Sequence, residues 1–296
     1  NEMPFKNVYL TGLVRDKKGR KMSKSLGNSP DPIKLIEKYG ADGVRAGMLL
    51  CAPAGNDLPF DEALCEQGRN FANKIWNAFR LIKGWKVTEN EQPESAKKTI
   101  IWLENKINKA IDEINVSYSK YRISEALMST YKLIWDDFCS WYLEIIKPDY
   151  GSPIDSKTYS ATIEQLERIL KLLHPFMPFL SEEIWHLIST REEDIIISKW
   201  PGSGNIDKTL LENFDDIKEV IAGIRNIRKE KNIPNKEKLA LEFITHQNQD
   251  HDLSPVIVKL GNLSSIQTIS KKPSNSFSFM VKSNEYFIPI NETVDI

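Results

Sequence analysis

The stretch that decides the fold is residues 100–114, IIWLENKINKAIDEI, the clearest of several segments with apolar residues at helical spacing. Its apolar side chains recur every three or four residues, which is the spacing of one face of an α-helix. The same spacing recurs on both sides, and the stripes are Phe71, Ile75, Phe79 and Ile82; Ile100, Leu103, Ile107, Ile111 and Ile114; Leu127, Tyr131, Ile134, Phe138, Trp141 and Ile145; and Tyr159, Ile163, Leu166, Leu170 and Leu173. Short turn-rich joints separate the stripes, so we expect an antiparallel helical bundle over residues 63–204.

Residues 1–62 carry a different pattern, which predicts a mixed α/β segment. Val8–Val14 is β-branched and aromatic, as is typical of a strand. Asp31 and Pro32 are typical of a helix start, with Ile33, Ile36 and Tyr39 as candidates for the apolar face of that helix. Within the bundle, Ser181 is predicted to cap a fifth, short helix.

Residues 205–296 predict a long helix followed by a small α/β subdomain. The helix carries an apolar face that ends before Pro234. Alternating apolar residues from Leu239 to Phe243 indicate a half-buried strand. Further predicted elements are a helix at 253–260 and strands at 265–269, 277–281 and 286–290. The expected fold class is therefore mainly α, with an α/β segment at each end of the bundle.

Composition excludes several classes of protein. The chain has 296 residues, of which 41% are hydrophobic and 27% are charged, and this balance excludes a wholly disordered chain. No run reaches the ~18 to 20 apolar residues that span a bilayer, and the first ten residues lack a signal-peptide pattern. The three cysteines and four histidines, including His246 and His251, have no metal-ligand spacing, so we expect reduced thiols and no metal site. We expect a cytoplasmic monomer without membrane contact.

The charges are unevenly distributed although their total is only −1. Residues 15–24 carry a net charge of +5, and residues 225–238 carry +4. Such runs are often solvated faces. On a nearly neutral chain they also fit anionic ligands that dock at particular places.

The second of the informative stretches is residues 19–28, GRKMSKSLGN. Lys21 and Lys24 are three residues apart, and small hydroxyl side chains flank them. A loop of this kind can surround a polyphosphate and stabilise its charge as a bond breaks. It is not a Walker P-loop, because the GxxxxGK[ST] spacing is absent. From composition alone an exposed basic turn is the simpler interpretation.

The sequence KMSKS at residues 21–25 resembles the signature of class I aminoacyl-tRNA synthetases. The chain further resembles the valyl-tRNA synthetases, on these segments: residues 39–45 (YGADGVR), 55–60 (GNDLPF), 68–78 (GRNFANKIWNA), 174–185 (HPFMPFLSEEIW) and 224–234. Isoleucyl enzymes usually carry His-Gly where this chain has Thr11-Gly12, which favours the valyl family.

The resemblance implies an enzyme that activates valine with ATP and Mg²⁺ and passes the valyl group to tRNA(Val). Lys21 and Lys24 would be catalytic, stabilising charge on the leaving pyrophosphate. The implied ATP-binding set is Lys21, Met22, Ser23, Lys24, Ser25 and Asn28. Met22 fits an apolar anchor for the loop better than a ligand contact. Ser23, Ser25 and Asn28 could either bind phosphate or fix the loop.

In this family the bundle reads the tRNA anticodon. The resemblance assigns Lys74, Arg80 and Leu81 to that surface, and Leu81 stands where relatives often have an aromatic residue. Plain surface charge is the competing interpretation for Lys74 and Arg80. Arg225 and Arg228 could contact the tRNA backbone or serve an intramolecular structural role.

The family's HIGH motif, most of its nucleotide-binding sheet, its valine pocket and its editing domain all precede KMSKS. We therefore expect a C-terminal part of the enzyme that is inactive when isolated, divided into residues 1–62, 63–204 and 205–296. Two alternatives stay open. One is a stand-alone tRNA-binding module without enzymatic activity, and the other is the same part of an isoleucyl or leucyl enzyme.

Overall fold

The structure is a computed structural model that describes residues 4–51, 56–244 and 253–290. The helices are α1 (Pro32–Tyr39), α2 (Ala41–Leu50), α3 (Glu62–Lys83), α4 (Glu94–Ser119), α5 (Ile123–Lys132), α6 (Leu143–Ile146), α7 (Ser156–Leu173), α8 (Pro178–Ile188), α9 (Lys208–Glu230) and α10 (Ser254–Gly261). The strands are β1 (Val14–Arg15), β2 (Leu58–Pro59), β3 (Val87–Thr88), β4 (Ile154–Asp155), β5 (Leu239–Ile244), β6 (Leu263–Thr268), β7 (Ser276–Val281) and β8 (Asn284–Pro289). The prediction of a mainly helical chain with a small sheet is confirmed.

The predicted strand over Val8–Val14 is wrong for most of its length. Of the residues from Val8 to Val14, only Val14 lies in a strand, β1, which pairs in parallel with β2. Val8 and Leu10 are 68% and 78% exposed. Leu13 still bonds residues 57 and 58, but within the described ranges residues 8–12 have no strand partner for their backbone groups, and a strand needs one.

The first helix begins as predicted but buries a different face. The Asp31 carboxylate accepts the Ile33 N–H, which confirms Asp31 as the cap. The predicted apolar face is wrong at Ile33 and Ile36, which are exposed, and right at Tyr39, which is buried together with Leu35. Helix α1 packs its Leu35 and Tyr39 face against Phe60 and Cys65, so tertiary contact selected the face.

The predicted stripes form the centre of a continuous core. Helix α4 contacts α5, α7 and α9, and α3 contacts α2 and α8. The core extends from Ala46 to Ile288 and includes the buried side chains of all four stripes. Trp102 of α4 stacks on Phe214 of α9 with ring centroids 4.0 Å apart. Over the described parts of the chain, no helix is both long and apolar enough to span a membrane. The division at residues 62 and 204 stays a prediction.

Two local features differ from the predicted bundle. A π-helix, Leu133–Tyr142, lies between α5 and α6 where the stripe predicts one uninterrupted α-helix. The predicted cap at Ser181 is also wrong, because α8 begins at Pro178. Ser181 lies inside α8, where its hydroxyl donates to the Met177 carbonyl and lies 2.8 Å from His174 Nδ1.

The C-terminal part forms the predicted α/β subdomain. Its four-stranded sheet has the order β6-β5-β8-β7, with β5 parallel to β6 and antiparallel to β8. Leu239, Leu241 and Phe243 point into the core, which confirms the alternating pattern. His246 and His251 lie outside the described residues.

Arg228 joins the long helix α9 to this subdomain. The side chain is only 5% exposed. Its guanidinium donates to the carbonyl oxygens of Pro234, Glu237, Gly261 and Asn262 at 2.9 to 3.1 Å. Burial lowers the pKa of Arg228. A guanidinium can be buried without a carboxylate partner only when such acceptors surround it.

Glycine lets α2 and α3 approach backbone to backbone, and this contact is testable. A Cβ atom on Gly68 would lie 2.3 Å from the Gly43 carbonyl oxygen. We expect Gly68→Ala to lower the free energy of unfolding by about 2 kcal/mol, because overpacking outweighs the better helix propensity of alanine. Urea denaturation measures the change. Gly202→Ala is the control, since nothing lies within 4 Å of its Cβ position. Equal stability of the two variants would contradict the close contact.

Arg228 gives a second stability prediction with a matched control on the same helix. We expect Arg228→Met to lower the free energy of unfolding by about 3 kcal/mol or more, because buried carbonyl groups lose their donor. Arg225 is exposed, with its guanidinium 5.8 Å from the Trp141 ring centroid. Arg225→Met should cost less than about 1 kcal/mol. Similar losses in the two variants would show that Arg228 does not hold the subdomain.

Candidate functional site

The cationic segment begins with a hairpin that brings residue 21 beside residue 15. Asp16 N–H donates to the Arg20 carbonyl, and Met22 N–H donates to the Val14 carbonyl. Gly19 closes the turn at φ 76°, a conformation that favours glycine. Met22 packs against the small apolar cluster of Leu35, Tyr39, Phe60 and Cys65. The structure therefore supports the prediction that Met22 anchors the loop.

Asn28 fixes the turn that follows. Its side-chain carbonyl accepts the Ser23 N–H at 2.9 Å, and its amide nitrogen donates to Asp16 and to the Lys21 carbonyl. Ser23 Oγ accepts the Leu26 N–H and lies 3.1 Å from Ser25 Oγ. Of the two open roles for Ser23 and Asn28, these bonds favour fixing the loop, and contact with ATP stays a prediction.

Asp16 is held ionised at the base of the loop. The hydrogen bond from Asn28 contributes most to lowering the pKa of Asp16 well below its usual range, and bonds from Arg20 and the Lys18 backbone add to it. These donors occupy both carboxylate oxygens. Asp16 is therefore a structural anchor for the hairpin.

Besides Lys18 in the hairpin turn, Lys21 and Lys24 carry the unpaired charges of this loop among the described residues. Both side chains are exposed, and within the described ranges neither ammonium group has a hydrogen bond or an ion pair. A cavity of about 420 Å³, which neither lysine lines, is bounded by Asp16, Lys17, Lys18, Arg20, Met22, Gly27, Asn28, Ser29, Pro30, Phe60 and Glu62. The loop thus presents two unpaired cations on a turn whose shape its own hydrogen bonds determine.

The loop fits polyphosphate better than it fits a bare metal ion. Mg²⁺ prefers carboxylate, phosphate and water oxygens, and the loop's own carboxylate, Asp16, already accepts four bonds. The ammonium groups of Lys21 and Lys24 cannot ligate a cation. Mg²⁺ at this loop would be held by ATP phosphates and water.

A groove along helix α3 brings together two of the predicted tRNA-binding residues, Lys74 and Leu81. It has a volume of about 420 Å³ and is lined by Asn70, Asn73, Lys74, Asn77, Ala78, Leu81, Cys139, Leu143 and Glu144. Helix α3 supplies one wall, and the π-helix and α6 supply the other. The Lys74 ammonium lies 4.5 Å from the centroid of Trp135, a contact that orients it. Leu81 is 43% exposed at this groove.

Three asparagines on this groove were missed from the sequence. Asn70, Asn73 and Asn77 recur on the exposed face of α3, at the i, i+3, i+7 spacing that places side chains in one row. That spacing was the available signal. An amide group offers both a donor and an acceptor, which is what reading a base edge requires.

The other wall contributes a thiol that stays protonated. Cys139 lies in the π-helix, and burial raises its pKa to about 12, opposed by the nearby charge of Lys74. At neutral pH the groove therefore carries one cation, Lys74, and one carboxylate, Glu144, among neutral amides and apolar groups.

The remaining predicted tRNA-binding residues lie apart from the groove. Arg80 is exposed at the end of α3 without a side-chain partner in the described ranges, and it does not line the groove. Arg225 is exposed on α9. Of the two roles left open for Arg228, the structure favours the intramolecular one over tRNA contact, because four backbone carbonyls hold its buried guanidinium.

One group of possible metal ligands occurs among the described residues. His186 Nε2 lies 3.1 Å from Glu182 Oε1 and 3.2 Å from Asp194 Oδ1. These are hydrogen-bond distances, and Glu182 also accepts the Ile195 N–H. The bonds hold residues 194–195 against α8. The expectation of no metal site stays a prediction.

Two known protein families match this chain. Residues 1–61 match the family described as tRNA synthetases class I (I, L, M and V). Residues 101–243 match the anticodon-binding domain of tRNA ligases. A solved structure of LeuRS from Agrobacterium radiobacter K84, in a ternary complex with tRNA and LeuAMS, is similar at a TM-score of 0.48 and 17% identity over 89% of this chain and 32% of that chain.

Similar proteins are named valine–tRNA ligase. The relative from Christiangramia forsetii is 58% identical over 100% of this chain and 34% of its own length. The relative from Porphyromonas gingivalis is 54% identical over 99% of this chain, and that from Thermotoga maritima is 34% identical over 100%, each again over 34% of its own length. The chain spans about a third of the length of these relatives. Over that third, the chain belongs to the valine–tRNA ligase family of class I aminoacyl-tRNA synthetases.

Proposed function

We propose that the enzyme to which this chain belongs joins valine to tRNA(Val) with ATP, and that this chain supplies a phosphate-binding loop and an anticodon-binding surface. The identity to valine–tRNA ligases over the whole chain supports the reaction. The observation that supports the phosphate-binding role of this chain is the pair of unpaired cations, Lys21 and Lys24, on a turn fixed by Asn28.

In this reaction the valine carboxylate attacks the α-phosphate of ATP and pyrophosphate leaves. Negative charge on the leaving oxygens grows towards the transition state, so a cation that meets it there accelerates the step. Lys21 and Lys24 supply that charge, and Mg²⁺ arrives with the phosphates. Because the turn is already shaped by its own hydrogen bonds, little ordering is needed when the phosphates arrive.

The helices from α3 to α8 are proposed to form the antiparallel anticodon-binding bundle, with the groove along α3 as its reading surface. Lys74 provides charge for phosphate, Leu81 an apolar contact for a base face, and the asparagines donors and acceptors for base edges. Arg80 lies beside the groove and is proposed to meet the backbone. Monomeric state and cytoplasmic location stay predictions from the sequence.

The loop assignment predicts a selective kinetic defect. In the whole enzyme, Lys24→Ala should lower the rate of valyl-adenylate formation about 10²- to 10³-fold while valine affinity changes little, because the contact strengthens in the transition state. Valine-dependent ATP–pyrophosphate exchange measures the rate. Lys34→Ala, an exposed lysine on α1, is the control. Equal losses of rate and valine affinity would show that Lys24 is not a transition-state contact.

The groove assignment predicts two different defects from neighbouring residues. Asn77→Ala should reduce discrimination between valine and other anticodons by about 1–3 kcal/mol without changing salt dependence. Arg80→Ala should weaken binding of all tRNAs alike and flatten the log–log salt slope by about 0.7. Lys109→Ala, exposed on α4, is the control. The groove assignment is wrong if Asn77→Ala leaves discrimination intact, and the phosphate assignment is wrong if Arg80→Ala leaves the slope intact.

A further inference from the structure

A further cavity of the bundle lies where helix α2 meets the link between α7 and α8. Its volume is about 420 Å³, within the range of about 300 to 1,000 Å³ that is typical of small-ligand sites. It shares no lining residue with the groove on α3 or with the cavity at the cationic loop. We call it the α7–α8 pocket, and its polar and aromatic lining includes Arg45, Lys171, His174, Lys199 and Trp200.

The wall of this pocket that follows α8 is held in place by bonds to the bundle. Glu182 Oε1 accepts the Ile195 N–H at 3.0 Å, and the Ile195 side chain is buried. Trp200 Nε1 donates to Asn115 Oδ1 at 3.0 Å, and its ring lies edge-on to Tyr118 with centroids 5.8 Å apart. The pocket therefore has its shape before any ligand arrives, as small-ligand sites usually do.

Three cations line the α7–α8 pocket, and no carboxylate does within the described part of the chain. Lys199 is exposed, and its ammonium group has no hydrogen bond or ion pair there. The Lys171 ammonium lies 5.4 Å from the centroid of the Trp185 ring, a contact that does not neutralise its charge. The Arg45 guanidinium uses Nε and Nη2 on two carbonyls of the link, and its Nη1 has no partner among the described residues. An anionic group such as a phosphate compensates charges of this kind.

His174 adds a hydrogen-bond acceptor to the pocket. The Ser181 hydroxyl donates to the Met177 carbonyl at 2.8 Å, so the proton between Ser181 Oγ and His174 Nδ1 belongs to the imidazole. Burial lowers the pKa of His174 against the opposing charge of Asp42, whose carboxylate accepts the Leu180 N–H at 2.7 Å. The imidazole is therefore neutral at pH 7, and its Nε2 has a lone pair that no described residue uses.

We propose that the α7–α8 pocket binds a free nucleoside monophosphate, with the phosphate at the three cations and the base against the Trp200 indole. Trp200 is 40% exposed, so part of its ring is available for stacking, and an indole stacks on any base. His174 Nε2 can accept from a sugar hydroxyl or a base amino group. The site itself does not depend on the proposed function. That function supplies one such ligand, AMP, which is released when the valyl group passes to tRNA.

The charge and shape of the pocket favour a free nucleotide over a nucleotide within RNA. A phosphate monoester carries a charge of about −1.5 to −2 at pH 7, whereas each phosphodiester of RNA carries one charge, so the monoester matches three cations better. A base within an RNA helix is paired and stacked, and it cannot enter a preformed cavity. An unpaired tRNA nucleotide is the competing occupant that the experiment must distinguish.

The test is a calorimetric titration of the whole enzyme with AMP, after a non-hydrolysable valyl-adenylate analogue has saturated the active centre. We expect one further AMP to bind per enzyme. Lys199→Ala and Trp200→Leu should each weaken that binding about tenfold or more, because one removes a charged donor and the other a stacking surface. Lys109→Ala, an exposed lysine outside the pocket, is the control and should bind AMP like the unsubstituted enzyme. If Trp200→Leu does not fold, Lys199→Ala alone decides.

Four results would overturn the proposal. Two are the absence of further AMP binding and an unchanged affinity in Lys199→Ala. The third is displacement of AMP by inorganic phosphate at equal concentration, which would show an anion site without base recognition. The fourth is displacement of AMP by tRNA(Val) together with weaker tRNA binding in Lys199→Ala, which would assign the pocket to an unpaired tRNA nucleotide. Failure of the unsubstituted enzyme to charge tRNA(Val) would refute the proposed function instead and would leave AMP binding intact, so the two failures are distinguishable.

Discussion

The close contact between α2 and α3 is the constraint on which the rest of the structure depends. Gly43 and Gly68 face each other, and Gly47 faces Cys65, at distances that leave no room for a Cβ atom. Packing through glycine lets two helices contact along their backbones, which defines their relative position more tightly than long side chains do. Helix α3 has 22 residues and is therefore about 33 Å long at 1.5 Å per residue. Its first turn bonds Lys38 and Tyr39 through Glu62, and its later turns line the groove, so a single rigid helix connects both candidate sites.

The cations discussed above fall into two groups: those bonded inside the fold and those without a partner among the described residues. Lys106 and Lys218 are mostly buried beside Asp137, at 3.6 Å and 3.3 Å, and they join α4 and α9 to the π-helix. Arg228 is surrounded by carbonyls. A cation whose donors are all used inside the fold cannot also bind a phosphate without giving up those bonds. Lys21, Lys24 and Arg80 have no such partner among the described residues and keep their full charge for a ligand.

The helices and their starts could be predicted from the sequence where burial or capping leaves a local pattern. The stripes of Ile107, Phe138 and Leu170 predict helices because each helix buries one face, and Asp31 predicts a helix start because a cap acts within three residues. Prediction failed where a partner distant in sequence decides. Ser181 looks like a cap until α8 is seen to take its cap from Asp42. Arg225 and Arg228 are alike in type and local spacing, yet only Arg228 meets the carbonyls of residues 234–262. The π-helix left no distinct signal, because its apolar spacing is close to that of an α-helix.

The candidate site follows the same rule. The loop was predictable because its two lysines and small neighbours are contiguous, whereas the groove needs α3 beside the π-helix and α6. The asparagine row on α3 does not indicate a groove until the facing wall, the π-helix and α6, is known. Once Cys139 and Leu143 form that wall, the polar amides of α3 face an apolar side chain and a protonated thiol, with the Glu144 carboxylate beside them. A base has polar edges and an apolar face, so a groove with these two walls can contact both at once, whereas a uniformly basic surface could bind only the phosphate.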